Sequence, residues 1–384
     1  MQAIDFKERA RLLAASLKAA GVAAYIGTRQ ASLHYLNGAF MPWRGAVIVT
    51  ADGACEFVYW AMDASRVKEE GAGFPMHTFT FSDFPNQVAR RLQEHGCERG
   101  TLALDLMHPG AAQIAPGMLT AHEYFQLQEA LPGAKLVNGV KYIDDLMLIK
   151  SPAELERLRW AAEVSDIGFR AGYDAVQEGV TENHVAGAIE AALRDHGSVW
   201  HWAITGGTEV GSGLRTGYHL GVTQQASDKK IGRDEFVILD LHPMLDLYLA
   251  DTSIPVFYGK PSTEQQKLID CWEEVVDTML ESLKPGVRIA DCAKQGIAVF
   301  EKRGYAEYGL PLFGHGLGTC ARTRPFLNLR SEDVVQENMV IALGTHLYHP
   351  QLGGMRLEYP VMIGAKGSEP LVKTAAKVHI KKIQ

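Results

Sequence analysis

The stretch FVILDLHPMLDLYLADTSIPV, residues 236–256, decides how the second half of the chain is read. Residues 236–241 and 247–252 are runs of strand formers around Pro243-Met244-Leu245-Asp246, the pattern of a β-hairpin. Each run carries one carboxylate among apolar neighbours, Asp240 and Asp251. An isolated buried carboxylate is costly, so such a group is paired, hydrogen-bonded or holding a metal. Antiparallel pairing brings the two side chains onto one face, a few ångströms apart, where like charges favour a cation. Taken singly, each Asp reads equally well as a turn former or a cap.

The chain has 384 residues, enough for two domains. Its 47% hydrophobic and 22% charged content is that of a soluble globular protein. A net charge of −7 argues against a nucleic-acid surface and leaves a small-molecule or peptide ligand as the default. The charged opening Met1-Gln-Ala-Ile-Asp5-Phe-Lys-Glu-Arg9 is unlike a signal peptide, and no apolar run is long enough to span a membrane. A cytoplasmic location is expected. Cys55, Cys97, Cys271, Cys292 and Cys320 show no paired spacing, so buried thiols are expected rather than disulfides or a thiolate metal site.

Helical spacing over 6–20 is followed by strand-like runs at 23–27, 45–50, 56–60 and 102–106, with helices expected at 85–95 and 121–130. This mixture predicts a first α/β domain over residues 1–145. Within it, Phe40-Met-Pro-Trp43-Arg44 offers Trp43 as a substrate wall, although packing in its own domain is favoured. Ser151-Pro152-Ala153-Glu154 is a capping box with proline at the first helical position, so a second domain is expected over 146–384. That domain contains an echo: Gly179-Val180 and Gly286-Val287, 107 positions apart, each precede a helical run ending at a glycine, Gly197 and Gly304. Two such halves related by a pseudo-twofold would enclose a cleft.

Further along comes Phe313-Gly314-His315-Gly316-Leu317-Gly318, in which glycines clear space around the imidazole and favour its use as a ligand over a packing role. Residues 339–343 and 354–361 read as strands, and alternation puts Arg356 and Glu358 on one face. Asp240, Asp251, His315 and Glu358 together offer three carboxylates and one imidazole, a donor set suited to Mn²⁺, Fe²⁺, Co²⁺ or Zn²⁺.

Asp240 and Asp251, then Gly314-His315-Gly316-Leu317-Gly318, then Gly354-Met355-Arg356-Leu357-Glu358, resemble the pita-bread metallohydrolases: creatinase, prolidase, aminopeptidase P and methionine aminopeptidase. Ile149-Lys150-Ser151-Pro152-Ala153-Glu154 and Tyr248 match as well, and the likeness extends over nearly the whole chain. It implies a creatinase-like N-terminal α/β domain followed by a pseudo-twofold pita-bread catalytic domain. It also implies a homodimer in which one subunit's first domain closes the other's cleft, and it puts Tyr248 on the substrate side. In two-metal members one ion takes both aspartates and the last glutamate, and the other takes the second aspartate, the histidine and two glutamates.

This chain departs from that pattern. Gly344 stands where the family has its first metal-binding glutamate, Arg322 where it has a second histidine, and Ser253-Ile254 where it has Thr-Arg. The resemblance therefore implies one divalent ion, with a weakened pair or none, as in creatinase, as alternatives. His346, two positions after Gly344 on the same strand face, is expected in a structural or substrate-binding role. Arg322 is expected either to clamp a substrate carboxylate or to form a surface ion pair. His219 is the nearest match to the family's proton-donating histidine, with His201 as the alternative, and Glu358 and His315 complete the expected catalytic set. The function expected is hydrolysis of an amide or amidine C–N bond in a small polar substrate. Xaa-Pro aminopeptidase or dipeptidase activity, a lyase, and a non-catalytic binding protein are the alternatives.

Overall fold

The computed structural model describes residues 1–107, 117–199, 207–217, 225–319 and 321–383. The chain divides into two compact units, Ala3–Leu148 and a second made of Met1–Gln2 with Ile149–Gln384.

In the first unit a mixed sheet has the order β4-β3-β2-β1-β5-β6. Its strands are β1 (Ala24–Gly27), β2 (Gly45–Thr50), β3 (Cys55–Trp60), β4 (Met76–Phe79), β5 (Thr101–Leu104) and β6 (Lys135–Asn138). Around it run α1 (Phe6–Ala19), α2 (Gln30–Asn37), α3 (Ala64–Glu70), α4 (Phe84–Glu94), α5 (Ala121–Ala130) and α6 (Val140–Leu148). Ile26, Ile48, Val58, Val88, Leu92, Leu102 and Leu104 form its apolar core. Asp105 is fully buried there and accepts hydrogen bonds from the Tyr25 hydroxyl, the Ser32 hydroxyl and the backbone N–H groups of Thr28 and Arg29. It is a satisfied structural carboxylate.

The second unit is built from α7 (Pro152–Ala175), α8 (Glu182–Asp195), α9 (Thr263–Ser282) and α10 (Ile289–Arg303) against a nine-stranded sheet. Its strands are β7 (Glu209–Ser212), β8 (Glu235–Leu241), β9 (Met244–Leu245), β10 (Tyr248–Leu249), β11 (Thr252–Tyr258), β12 (Leu312–Leu317), β13 (Ala321–Asn328), β14 (Val340–His349), β15 (Gly353–Gly364), β16 (Gly367–Pro370) and β17 (His379–Lys381). The main order is β13-β12-β14-β15-β11-β8-β7; β9 and β10 form a separate small hairpin, and β16 and β17 add to β15 and β11. One half contributes α7, α8, β7, β8 and β11, and the other α9, α10, β12, β14 and β15. The second unit is thus built from two halves of like composition, as the expected pseudo-twofold requires. The α7 start is as the sequence expects: the Ser151 side chain accepts from Glu154 N–H, and Glu154 accepts from Ser151 N–H at 3.0 Å.

The echo has a backbone basis. Gly179 N–H donates to Ile231 O at 2.9 Å and Ile231 N–H to Val180 O at 2.8 Å; Gly286 and Val335 make the same exchange with Val335 O and Val287 O, both at 2.9 Å. Both glycines are left-handed, φ 81° and 90°, with open space where a Cβ would stand. Gly179→Ala and Gly286→Ala are therefore each expected to cost about 1–2 kcal/mol from backbone strain alone. Urea unfolding checks this, and two unchanged midpoints would remove the argument.

The hairpin differs from expectation. β8 pairs with β11 from Glu235↔Tyr258 to Leu241↔Thr252, so the partner strand starts at Thr252 rather than Leu247. Residues 242–251 form an extension in which Leu245 pairs with Tyr248. Asp246 and Leu247 take positive φ, 46° and 66°, to make that turn, and Arg157 holds Asp246 at 2.6 Å. Cys55, Cys97, Cys271 and Cys292 are buried free thiols, while Cys320 lies outside the described residues. Among the described residues no helix is long and apolar enough to cross a membrane.

Candidate metal centre

Strand register, not sequence proximity, builds the site. Glu209 on β7 pairs with Asp240 on β8, Asp240 with Ser253 on β11, Ser253 with Glu358 on β15, and Glu358 with Gly344 on β14. One transverse row across five strands thus carries three carboxylates, one hydroxyl and one bare position. Continuing the β8–β11 register one step beyond Leu241↔Thr252 sets His242 opposite Asp251. Side-chain alternation then puts both on the face that Asp240 uses.

Asp240, His242, Asp251 and Glu358 bring ligand-capable atoms within 4.8 Å of one another. His242 Nε2 stands 3.2 Å from Asp251 Oδ1 and 3.6 Å from Asp240 Oδ1. His315 Nε2 approaches the other oxygen of Asp251, Oδ2, at 3.4 Å. Beyond the ion-pair contacts with Arg356, His242 and one another, the Asp240 oxygens, Asp251 Oδ1 and His315 Nε2 have no hydrogen-bond partner among the described residues, and the Ser253 hydroxyl also lacks one. Converging, buried, unsatisfied donors of this kind are what a divalent cation requires. The residues fit the metal that the sequence implies.

Arg356 anchors the row from below. It is almost fully buried, donates to Glu209 Oε2 at 2.8 Å and to Glu358 Oε2 at 3.2 Å, and lies 3.1 Å from Asp240 Oδ2. Burial works against its charge, but the three carboxylates prevail and hold its pKa well above the ordinary value. Burial also raises the Asp240 carboxyl well above its usual range. Glu358 goes the other way: burial opposes its ionisation, but Arg356, Asp251, Arg322 and His315 together hold it well below. Burial lowers His315, with Arg322 adding to the effect. His242 is desolvated too, yet Asp240 and Asp251 lift it to about 10.

Of the four expected ligands, Asp240, Asp251 and Glu358 lie in one cluster with His242, and His315 reaches it only through Asp251, at 3.4 Å. Arg322 lines the same site, its guanidinium 4.0 Å from Glu358 Oε1 and its backbone N–H donating to His315 Nδ1 at 3.2 Å. Arg324 instead turns away to pair with Asp333. His346 is buried with its ring over Gly344, and burial followed by the Arg356 charge lowers it to about 3. The glycines around His315 serve neighbouring strands rather than a ligand: a Cβ at Gly314 would strike the Ala342 carbonyl, and one at Gly316 the Arg324 carbonyl. Tyr248 is buried, and its hydroxyl donates to Glu154 Oε1 at 3.3 Å, linking β10 to α7. Trp43, in the first unit, is 54% exposed and packs on Trp60 with ring centroids 4.8 Å apart. His219 and His201 lie outside the described residues.

Two participants escaped the sequence reading. His242 follows Asp240 by two positions, the alternation signal that would have found it. Glu209 had no comparable signal, because only the β7–β8 register puts it beside Asp240.

Comparison with known proteins places the chain in a family. Metallopeptidase family M24 matches residues 156–365, and the Creatinase/Prolidase N-terminal domain matches 9–147. The chain is 30% identical over 241 residues to an Xaa-Pro dipeptidase of Lactobacillus helveticus, covering 62% of this chain and 64% of that enzyme. It is 27% identical over 343 residues to an Xaa-Pro dipeptidase of Pyrococcus furiosus, covering 89% and 91%. The prolidase structure from Pyrococcus horikoshii OT3 superposes with a TM-score of 0.83 at 23% identity, over 97% of this chain and 99% of that one. Fold, site and comparisons define a metal-dependent hydrolase of C–N bonds. Within that class, the chain belongs to metallopeptidase family M24, with a creatinase/prolidase N-terminal domain.

Proposed function

We propose that the chain hydrolyses dipeptides with proline in the second position. The observation that carries this reading is the convergence of Asp240, Asp251 and Glu358, with His315 alongside, in a chain whose long relatives are named Xaa-Pro dipeptidases. Those names favour the peptidase alternative of the sequence reading over an amidine substrate. Asp240, Asp251 and Glu358 would hold a divalent ion, which would supply Lewis acidity and lower the pKa of water there. Glu358, kept ionised by its cationic neighbours, serves as ligand and accepts a hydrogen bond from the attacking water. His315, kept neutral by burial, offers Nε2 at the edge of the site. Arg322 supplies a cation for the dipeptide's terminal carboxylate. His219 is assigned the leaving nitrogen by its position in the sequence.

Ala-Pro and Gly-Pro are expected to turn over about 100-fold faster than Ala-Ala, a ratio worth about 2.7 kcal/mol in the transition state. A second reading, a non-peptide amide or amidine of a small polar molecule, is favoured by Gly344, which removes one family ligand. Turnover of such an amide with no detectable Xaa-Pro cleavage would select it.

A further inference from the structure

We infer that the site holds a single divalent ion whose nitrogen ligand is His242, completing a four-residue set with Asp240, Asp251 and Glu358. The inference rests on the metal-dependent reading and refines it. The two oxygens of Asp251 face different imidazoles, Oδ1 toward His242 at 3.2 Å and Oδ2 toward His315 at 3.4 Å, so this carboxylate separates two possible ion positions. On the Oδ1 side four residues from β8, its extension and β15 bring donors within 4.8 Å of one another. Three oxygens and one nitrogen satisfy the donor number that a first-row divalent ion requires, with further positions open to water or substrate.

On the Oδ2 side the set is poorer. Position 344, directly across from Glu358 in the β14–β15 register, has no side chain to offer. A Cβ there would lie 3.0 Å from His346 Cε1, so the imidazole of His346 stands where a side chain leaving that position would have to pass. His346 Nδ1 has no hydrogen-bond partner among the described residues, and the ring is buried. The loss of a carboxylate on one side of Asp251 and the gain of an imidazole on the other thus favour one ion on the His242 side. His315 is left available to substrate.

The test measures metal binding directly, on full-length protein freed of metal with chelator and titrated with Co²⁺ or Mn²⁺ by calorimetry and elemental analysis. The wild type is expected to take up one equivalent. His242→Ala, with His242→Gln as a second variant should the first fail to fold, is expected to bind at least about 100-fold more weakly, since even outer-shell changes cost 10–100-fold. His315→Ala is expected to keep one equivalent within about threefold of wild-type affinity. Gly344→Glu alone is expected to stay at one equivalent, and Gly344→Glu with His346→Ala to reach two. Two equivalents in the wild type, none, or wild-type affinity in both His242 variants would overturn the inference. Full Xaa-Pro hydrolysis by metal-free protein would instead overturn metal-dependent catalysis, an outcome read independently of the binding stoichiometry.

Discussion

Asp251→Ala is expected to lose the bound divalent ion and to lower kcat/KM for Ala-Pro by about 10³-fold or more, equivalent to about 4 kcal/mol of transition-state stabilisation. Within the cluster that also holds Asp240 and Glu358, Asp251 is the carboxylate whose two oxygens each face an imidazole. It contacts both His242 and His315, so a water molecule in the truncated space replaces neither charge nor geometry. The fold should survive. The substitution removes a like charge but also a partner of His242, so the thermal midpoint of the metal-free variant is compared with that of metal-free wild type to separate loss of the ion from loss of the fold. Elemental analysis, steady-state kinetics and thermal melts together check this. A variant that retains its ion and stays within tenfold of wild type would show that the cluster is not the catalytic centre.

Arg356→Met is expected to destabilise metal-free protein by about 3–5 kcal/mol, the range for removing one partner from a buried charge network. The guanidinium is the cation that touches Glu209, Asp240 and Glu358, and methionine fills similar volume without charge. An added divalent ion offsets part of the loss at Asp240 and Glu358, but Glu209 loses its buried ion pair with Arg356. Adding Glu209→Gln to Arg356→Met should therefore recover stability, a positive coupling that a double-mutant cycle measures. Denaturant titration without metal is the readout. A loss below about 1 kcal/mol would mean that the carboxylates are neutralised by protons instead of by Arg356.

Both results concern a layer of the site that was only partly visible in the sequence. Asp240, Asp251, His315 and Glu358 were legible because charged residues inside strand-like runs are costly, and because their motifs recur in a known family. Gly344 was legible as a missing donor. A tyrosine next to a ligand-bearing aspartate carries no sign in the sequence of which way its hydroxyl points; packing of β10 on α7 sets it against Glu154. The glycines beside His315 were read as room for a ligand, whereas the neighbouring strands take that room.

The sequence by itself determined the features set by neighbouring residues. Ser151 and Glu154 close a capping box within one turn, Gly179 and Gly286 repeat the same left-handed step, and strand formers flank both aspartates. Tertiary structure alone decided which side chains share the cation site. His242 meets Asp251, and Glu209 meets Asp240 through Arg356, because β7, β8, β11, β15 and β14 align in one register. Register is fixed by pairing between distant segments, and a shift of one residue would turn each of these side chains to the opposite face.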